Sequence, residues 1–175
     1  MGEFMSIPFK LRPWSMEDLP SLIKYANNFN ISNNMFDGFP HPYTKEDGKR
    51  FIEITEKSKD MILCIEVNGE AVGSAGIHLK NDVYRKNAEI GYWLAEPFWG
   101  QGIISKVTPK IVDFGFEKFG IERIYARVYG RNLGSQKVLK NCGFQFEGQF
   151  EKTIFKNGKF EDEIIYSVRR NKWKK

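Results

Sequence analysis

Gly100 and Gly102 stand between an apolar run at residues 88–94 and an apolar helical pattern that begins at Ile103. Pro97 bounds the run downstream, so the order is strand, glycine-rich turn, helix. Glycines at such a junction let the backbone approach a ligand closely, and the first N–H groups of the helix have no partner within it. With the helix dipole behind them, those amides form a seat for phosphate, and a diphosphate ligand is the first inference. A tight turn with no ligand uses the same dipeptide spacing, so the two glycines alone do not decide. No G-x-x-x-x-G-K-[ST] occurs, which excludes a P-loop. A dinucleotide fold wants a third glycine three residues on, where Ser105 stands.

Glu89 lies inside the same apolar strand. Burial there raises a carboxylate's pKa toward neutrality, where a general base works best. An ion pair with Arg85, Lys86 or Arg127 is the competing role. Cys64 and Cys142 are the only cysteines, too few for a disulfide framework and without metal spacing. Cys64 fits a packed small hydrophobe. His41 and His78 have no carboxylate-rich surroundings, so no metal site is expected.

The elements that must position this stretch are legible from local patterns. Residues 7–14 read as a first strand kept short by Pro8 and Pro13. Ser15 with Asp18 caps a helix whose buried stripe is Leu19, Leu22, Ile23 and Ala26. Residues 27–42 read as a mobile segment with apolar anchors Met35, Phe36 and Phe39, a lid or acceptor wall. Thr44 with Asp47 starts a second helix carrying Phe51, Ile52 and Ile54. A hairpin turns at Asn68-Gly69, and a last hairpin turns at Asn157-Gly158. The helix after Gly102 ends at Gly120, with Pro109 kinking it near Ser105. Residues 123–129 form a strand parallel to the one at 88–94 through a right-handed crossover. Asn132 caps a short helix that stops at Gly143.

At 175 residues the chain reads as one domain of ordinary composition, 41% hydrophobic and 28% charged. Aromatic content of 15% suggests a sheet with large side chains on its faces. Residues 1–4 look like an expression-vector remnant, 5–170 the folded domain, and 171–175 a basic tail, with the solvated stretch beginning at Arg169. No apolar run approaches a membrane span, and the default address is the cytoplasm. The net charge of +5 permits an anionic partner. No nucleic-acid-binding signature accompanies it.

The segments EIGYWL at 89–94, WGQGIIS at 99–105, RIYARV at 123–128 and NLGSQKVLKNCGF at 132–144, then Glu147-Gly148 and the Asn157-Gly158 hairpin, come in a characteristic order. In this the chain resembles the GNAT superfamily of N-acetyltransferases, in particular its ribosomal-protein N-terminal (RimJ/RimL-like) branch. The resemblance implies an α/β (α+β) domain whose mixed, mostly antiparallel sheet has a central parallel strand pair splayed at the cofactor cleft, with helices on both faces. It implies acetyl transfer from acetyl-CoA to an amine, a protein N-terminus or a small amine such as an aminoglycoside, polyamine or amino acid, by a monomer or homodimer. It assigns the pyrophosphate to backbone amides of Gln101, Gly102, Ile103, Ile104 and Ser105, and pantetheine to Trp93, Leu94 and Ala95. A backbone amide near Trp93 or Leu94 would polarise the thioester carbonyl. Asn132, Ser135 and Lys137 face the cofactor, joined by Lys106, Arg131 and Lys140 as candidate phosphate contacts, and Ser135 is the candidate acid. Tyr92 and Tyr129 are possible substitutes for that acid or core-packing residues. Trp99 stands where the superfamily loop usually begins with Gln or Arg, and Ile104 where it closes with Gly or Ala. Leu139 replaces the tyrosine that protonates the leaving thiolate in many relatives, and that vacancy keeps a non-catalytic acyl-CoA-binding module in play.

Overall fold

The computed structural model describes residues 7–173; the proposed remnant at residues 1–4, and Lys174 and Lys175 of the proposed tail, lie outside the described residues. Seven strands form one sheet: β1 (Lys10–Pro13), β2 (Met61–Val67), β3 (Glu70–Leu79), β4 (Asn87–Leu94), β5 (Arg123–Tyr129), β6 (Gln145–Lys156) and β7 (Lys159–Arg169). Their order across the sheet is β1-β2-β3-β4-β5-β7-β6, and every neighbouring pair is antiparallel except β4 and β5.

Local chemistry sets the ends of the helices. Ser15 and Asp18 form a capping box ahead of α1 (Leu19–Ala26), and Thr44 and Asp47 form another ahead of α3 (Lys45–Lys57). A short helix, α2 (Phe29–Ser32), lies between them, its first amides held by Asn28. Helix α4 (Ile103–Phe119) runs between two glycines in the left-handed region, Gly102 and Gly120. Helix α5 (Leu133–Asn141) is capped by the Asn132 side chain, which accepts from Ser135 N at 3.1 Å.

Side chains alternate across β4 and so divide between two cores. Ala88, Ile90 and Leu94 pack with Ile103, Val107 and Ile111 of α4. Trp93 joins Trp14, Leu22, Phe39 and Ile52 on the opposite face. Burial of these two apolar sets fixes the register, because a one-residue slip would exchange the faces.

Two expectations are corrected. The segment at residues 27–42 is pinned, not mobile: Met35 O accepts from Tyr129 Oη at 3.0 Å, Arg131 reaches Asn33 and Asn34, and Lys156 pairs with Asp37. The stretch from Arg169 is likewise folded as far as Trp173. Arg170 Nε donates to Ile121 O at 2.8 Å, and Trp173 Nε1 donates to Asp113 at 2.7 Å. Among the described residues no helix is long and apolar enough to cross a membrane.

Candidate active site

The parallel ladder is short. Asn87, Ala88 and Glu89 pair with Arg123, Ile124 and Tyr125, and then the two strands part. Beyond that point β4 keeps only its β3 partner and β5 only its β7 partner. Ala95 N donates to Val72 O, and Asn87 O accepts from Lys80 N, both on the β3 side. By alternation the polar groups of Trp93 also face β3, whereas those of Tyr92 and Leu94 face the opening toward β5. Of the two amides considered for the carbonyl, Leu94 N–H therefore points into the opening and Trp93 N–H points away. Leu94 O is already engaged by Trp99 Nε1 at 2.6 Å.

The glycine-rich loop lies just after this parting. Gly100 and Gly102 have φ of 74° and 73°, and a Cβ added to either meets nothing within 4 Å. That is open space over a left-handed backbone, the cradle a diphosphate needs. Lys106 N makes the helix's first ladder bond, to Gly102 O at 3.2 Å, so the amides of Ile103, Ile104 and Ser105 precede the ladder. The Ile104 side chain packs against the core and does not plug the loop. Gln101 is exposed and donates through its side chain to Pro97 O. These residues fit the diphosphate of coenzyme A.

Pro109 lacks the N–H that would bond Ser105 O one turn back. Cys142, the residue just after α5 that caps its C-terminus, has its Sγ 3.4 Å from that carbonyl and donates to it. The first turn of α4 is thus tied to α5. Spacing alone does not show this tie, because its two residues are 37 apart.

Ser135, in the first turn of α5, meets Tyr92 of β4 across the parting, with 2.7 Å between their hydroxyl oxygens. Burial pushes the Tyr92 phenol up to about 12. Leu139 is fully buried, so no hydroxyl stands at that position. Asn132 is occupied as the α5 cap, and Lys137 is exposed on the same helix. Lys106 and Lys140 are exposed as well. Arg131 is withdrawn from any phosphate by Glu161 at 3.0 Å and by the residues of the pinned segment. Tyr129 spends its hydroxyl on Met35 O.

Glu89 lies on the Trp93 side of the sheet. The expected rise in its pKa is reversed. Burial pushes the carboxyl up, but Arg127 at 2.9 Å and Lys80 at 2.8 Å together hold it below its ordinary value. Arg127 was among the expected partners; Lys80 was not. Beside it, Arg127 also approaches Glu163 at 3.8 Å. Among the described residues no group of His, Cys, Asp and Glu could hold a metal ion. Cys64 is buried, its thiol pushed up to about 12 by that burial.

Comparison with known proteins places this geometry. A family model described as an acetyltransferase (GNAT) domain matches residues 9–145. The N-acetyltransferase p20 of Bacillus licheniformis is 30% identical over 167 residues, covering 93% of each chain. YoaA, an N-acetyltransferase of Bacillus subtilis, is 36% identical over 99 residues, which cover 57% of this chain and only 55% of that relative. Among solved structures, Mycobacterium smegmatis RimJ in complex with CoA-disulfide superposes with a TM-score of 0.83 at 23% identity, covering 95% of this chain and 84% of that one. Spermidine N-acetyltransferase from Vibrio cholerae, in complex with CoA and spermine, gives 0.79 at 20% identity, covering 94% and 96%. At these identities the two structures show the shared fold.

Proposed function

The chain belongs to the GNAT acetyltransferase family, and from that premise we propose that it transfers acetyl from acetyl-CoA to the amine of a protein N-terminus. The observation that carries this reading is the parting of β4 and β5 directly beside a left-handed glycine loop with open space above it.

Acetyl-CoA, when bound, supplies an activated acyl carbon and a thiolate leaving group. The chain's part is to hold and orient. Amides of Gln101, Gly102, Ile103, Ile104 and Ser105 seat the diphosphate, and the helix dipole favours its charge. The opening beside Trp93, Leu94 and Ala95 takes the pantetheine arm, with Leu94 N–H directed at the carbonyl oxygen as charge develops there. Asn132 shapes the cofactor side of α5, and Lys137 stands on that helix for the outer phosphate. Ser135 faces the leaving sulfur. Alignment of amine and thioester in one ternary complex replaces any covalent enzyme intermediate.

Glu89 keeps a place in the reaction in a changed role. Held ionised between Arg127 and Lys80, it is a weak proton acceptor; the paired carboxylate holds the wall on the acceptor side of the opening, and solvent takes the amine proton. The wall around it favours a protein end over a polyamine. Glu89 is matched by Arg127 and Lys80, Glu161 by Arg131, and Glu163 by Arg127. That leaves no surplus of negative charge for several ammonium groups.

The test follows CoA release from acetyl-CoA with N-terminal peptides, spermidine, an aminoglycoside and free amino acids, with cofactor binding measured by calorimetry. Peptides with the highest kcat/KM support the reading. Preference for spermidine moves the acceptor to small amines, and tight binding without turnover on any amine leaves an acyl-CoA-binding module.

A further inference from the structure

The contact between Tyr92 and Ser135 carries a direction as well as a distance. A tyrosine hydroxyl has one proton to donate and a serine hydroxyl has another, and one contact can use only one of them. Among the described residues, Ser135 Oγ is the one hydrogen-bond partner of the Tyr92 phenol. If Ser135 donated to Tyr92, the phenol's own O–H would have no acceptor among the described residues, and an orphaned donor in a part-buried position is costly. If Tyr92 donates, its proton is satisfied and the Ser135 proton is released from the contact. Ser135 sits in the first turn of α5, where its side chain bridges to β4 at the level where β4 and β5 have separated. Its remaining direction is toward that opening.

We propose that Tyr92 is a positioning residue for acetyl transfer: its phenol donates to Ser135 Oγ and so turns the Ser135 hydroxyl proton toward the leaving sulfur. The inference rests on the acetyl-transfer reading above. In the transfer step the amine nitrogen forms a bond to the acyl carbon, the C–S bond breaks, and its electron pair stays on sulfur. The proton lost by the amine nitrogen balances that charge in the end. Ser135 needs only to donate a hydrogen bond to the sulfur anion meanwhile, which a serine with a fixed proton can do without ionising. Burial of the phenol keeps it protonated at neutral pH, which is the state a fixed donor requires. The arrangement places hydroxyls from β4 and α5 where Leu139 provides none.

Three variants test this: Tyr92→Phe, Ser135→Ala and the double variant. Each is assayed for kcat and KM with acetyl-CoA, for CoA affinity by calorimetry, and for Tm. Tyr92→Phe should lower kcat roughly 10- to 100-fold, the worth of one hydrogen bond to a charged group, while KM and CoA affinity stay within about twofold. The double variant should be no slower than Ser135→Ala alone, because Tyr92 acts through Ser135. With the selenoester analogue of acetyl-CoA, whose leaving selenolate needs little stabilisation, the Tyr92→Phe defect should largely vanish. A merely structural role for Tyr92 would slow both thioester and selenoester equally. The Tm cycle is independent of turnover. Ser135→Ala orphans the phenol and should lower Tm by about 3 °C, and adding Tyr92→Phe should restore most of it. Unchanged kcat in Tyr92→Phe, multiplicative losses in the double variant, or additive Tm losses each overturn the proposal. Wild-type protein that turns over no amine removes the transferase reading instead, and the Tm cycle still decides the direction of the hydrogen bond.

Discussion

Gly102→Val separates the cost of backbone strain from the cost of a blocked phosphate seat. Gly102 holds φ 73° and ψ 7° at the head of α4, and a Cβ there meets no protein atom within 4 Å. An L-residue in this region costs about 1–2 kcal/mol, more for a branched one. That predicts a Tm loss of roughly 2–8 °C with the fold retained. The added methyl groups would occupy the space above the amides, where the diphosphate is proposed to sit. Losing two hydrogen bonds to a charged group, at about 1.5–3 kcal/mol each, weakens CoA binding by roughly a hundredfold to ten-thousandfold. Gly120→Val is the internal control. It stands at the other end of the same helix with φ 57°, and a Cβ there also meets nothing within 4 Å. Calorimetry and thermal melts on both variants should give similar Tm losses, with CoA affinity lost only in Gly102→Val. Equal CoA affinity in the two variants would refute the seat.

Two further outcomes follow from contacts around the site. Because Glu89 is held below its ordinary value of 4.5, its pairing stabilises the fold above that pH, and the contribution disappears as pH falls through the lowered folded value. Glu89→Gln should therefore flatten the acid limb of a stability–pH curve; on the kinetic side it should leave the ascending, acid-side limb of the kcat profile in place, whereas loss of that limb would restore Glu89 as the base. Cys142→Ala should cost about 1 kcal/mol in urea unfolding, but much less in a Pro109→Ala background, where the helix regains its own donor to Ser105 O; equal costs in both backgrounds would refute the tie.

What the sequence shows directly is what depends on near neighbours. The capping boxes at Ser15/Asp18 and Thr44/Asp47, the Asn-Gly hairpin turns and the left-handed glycines flanking α4 are set within a few residues, and each is visible in the chain. The partners of Glu89 are not. Lys80 reaches it because β3 and β4 register places His78 opposite Glu89, and that register is fixed by burial along both strands. The pinned segment at residues 27–42 looks loop-like because its composition is polar, and its anchors on Tyr129, Arg131 and Lys156 come from roughly a hundred residues further on. Trp173 similarly appears as part of a basic tail, since no local pattern announces its bond to Asp113. The contact between Tyr92 and Ser135 links positions 43 apart. Only the parting of the strands brings it into the site.

The amides between β4 and α4 are the proposed seat of a diphosphate. Calorimetric titration of the wild-type protein with CoA, dephospho-CoA and pantetheine tests it most directly. CoA and dephospho-CoA should bind within about tenfold of each other, and pantetheine, which lacks the diphosphate, at least about a hundredfold more weakly. Pantetheine binding as tightly as CoA, or affinity that vanishes with the 3′-phosphate alone, would contradict it.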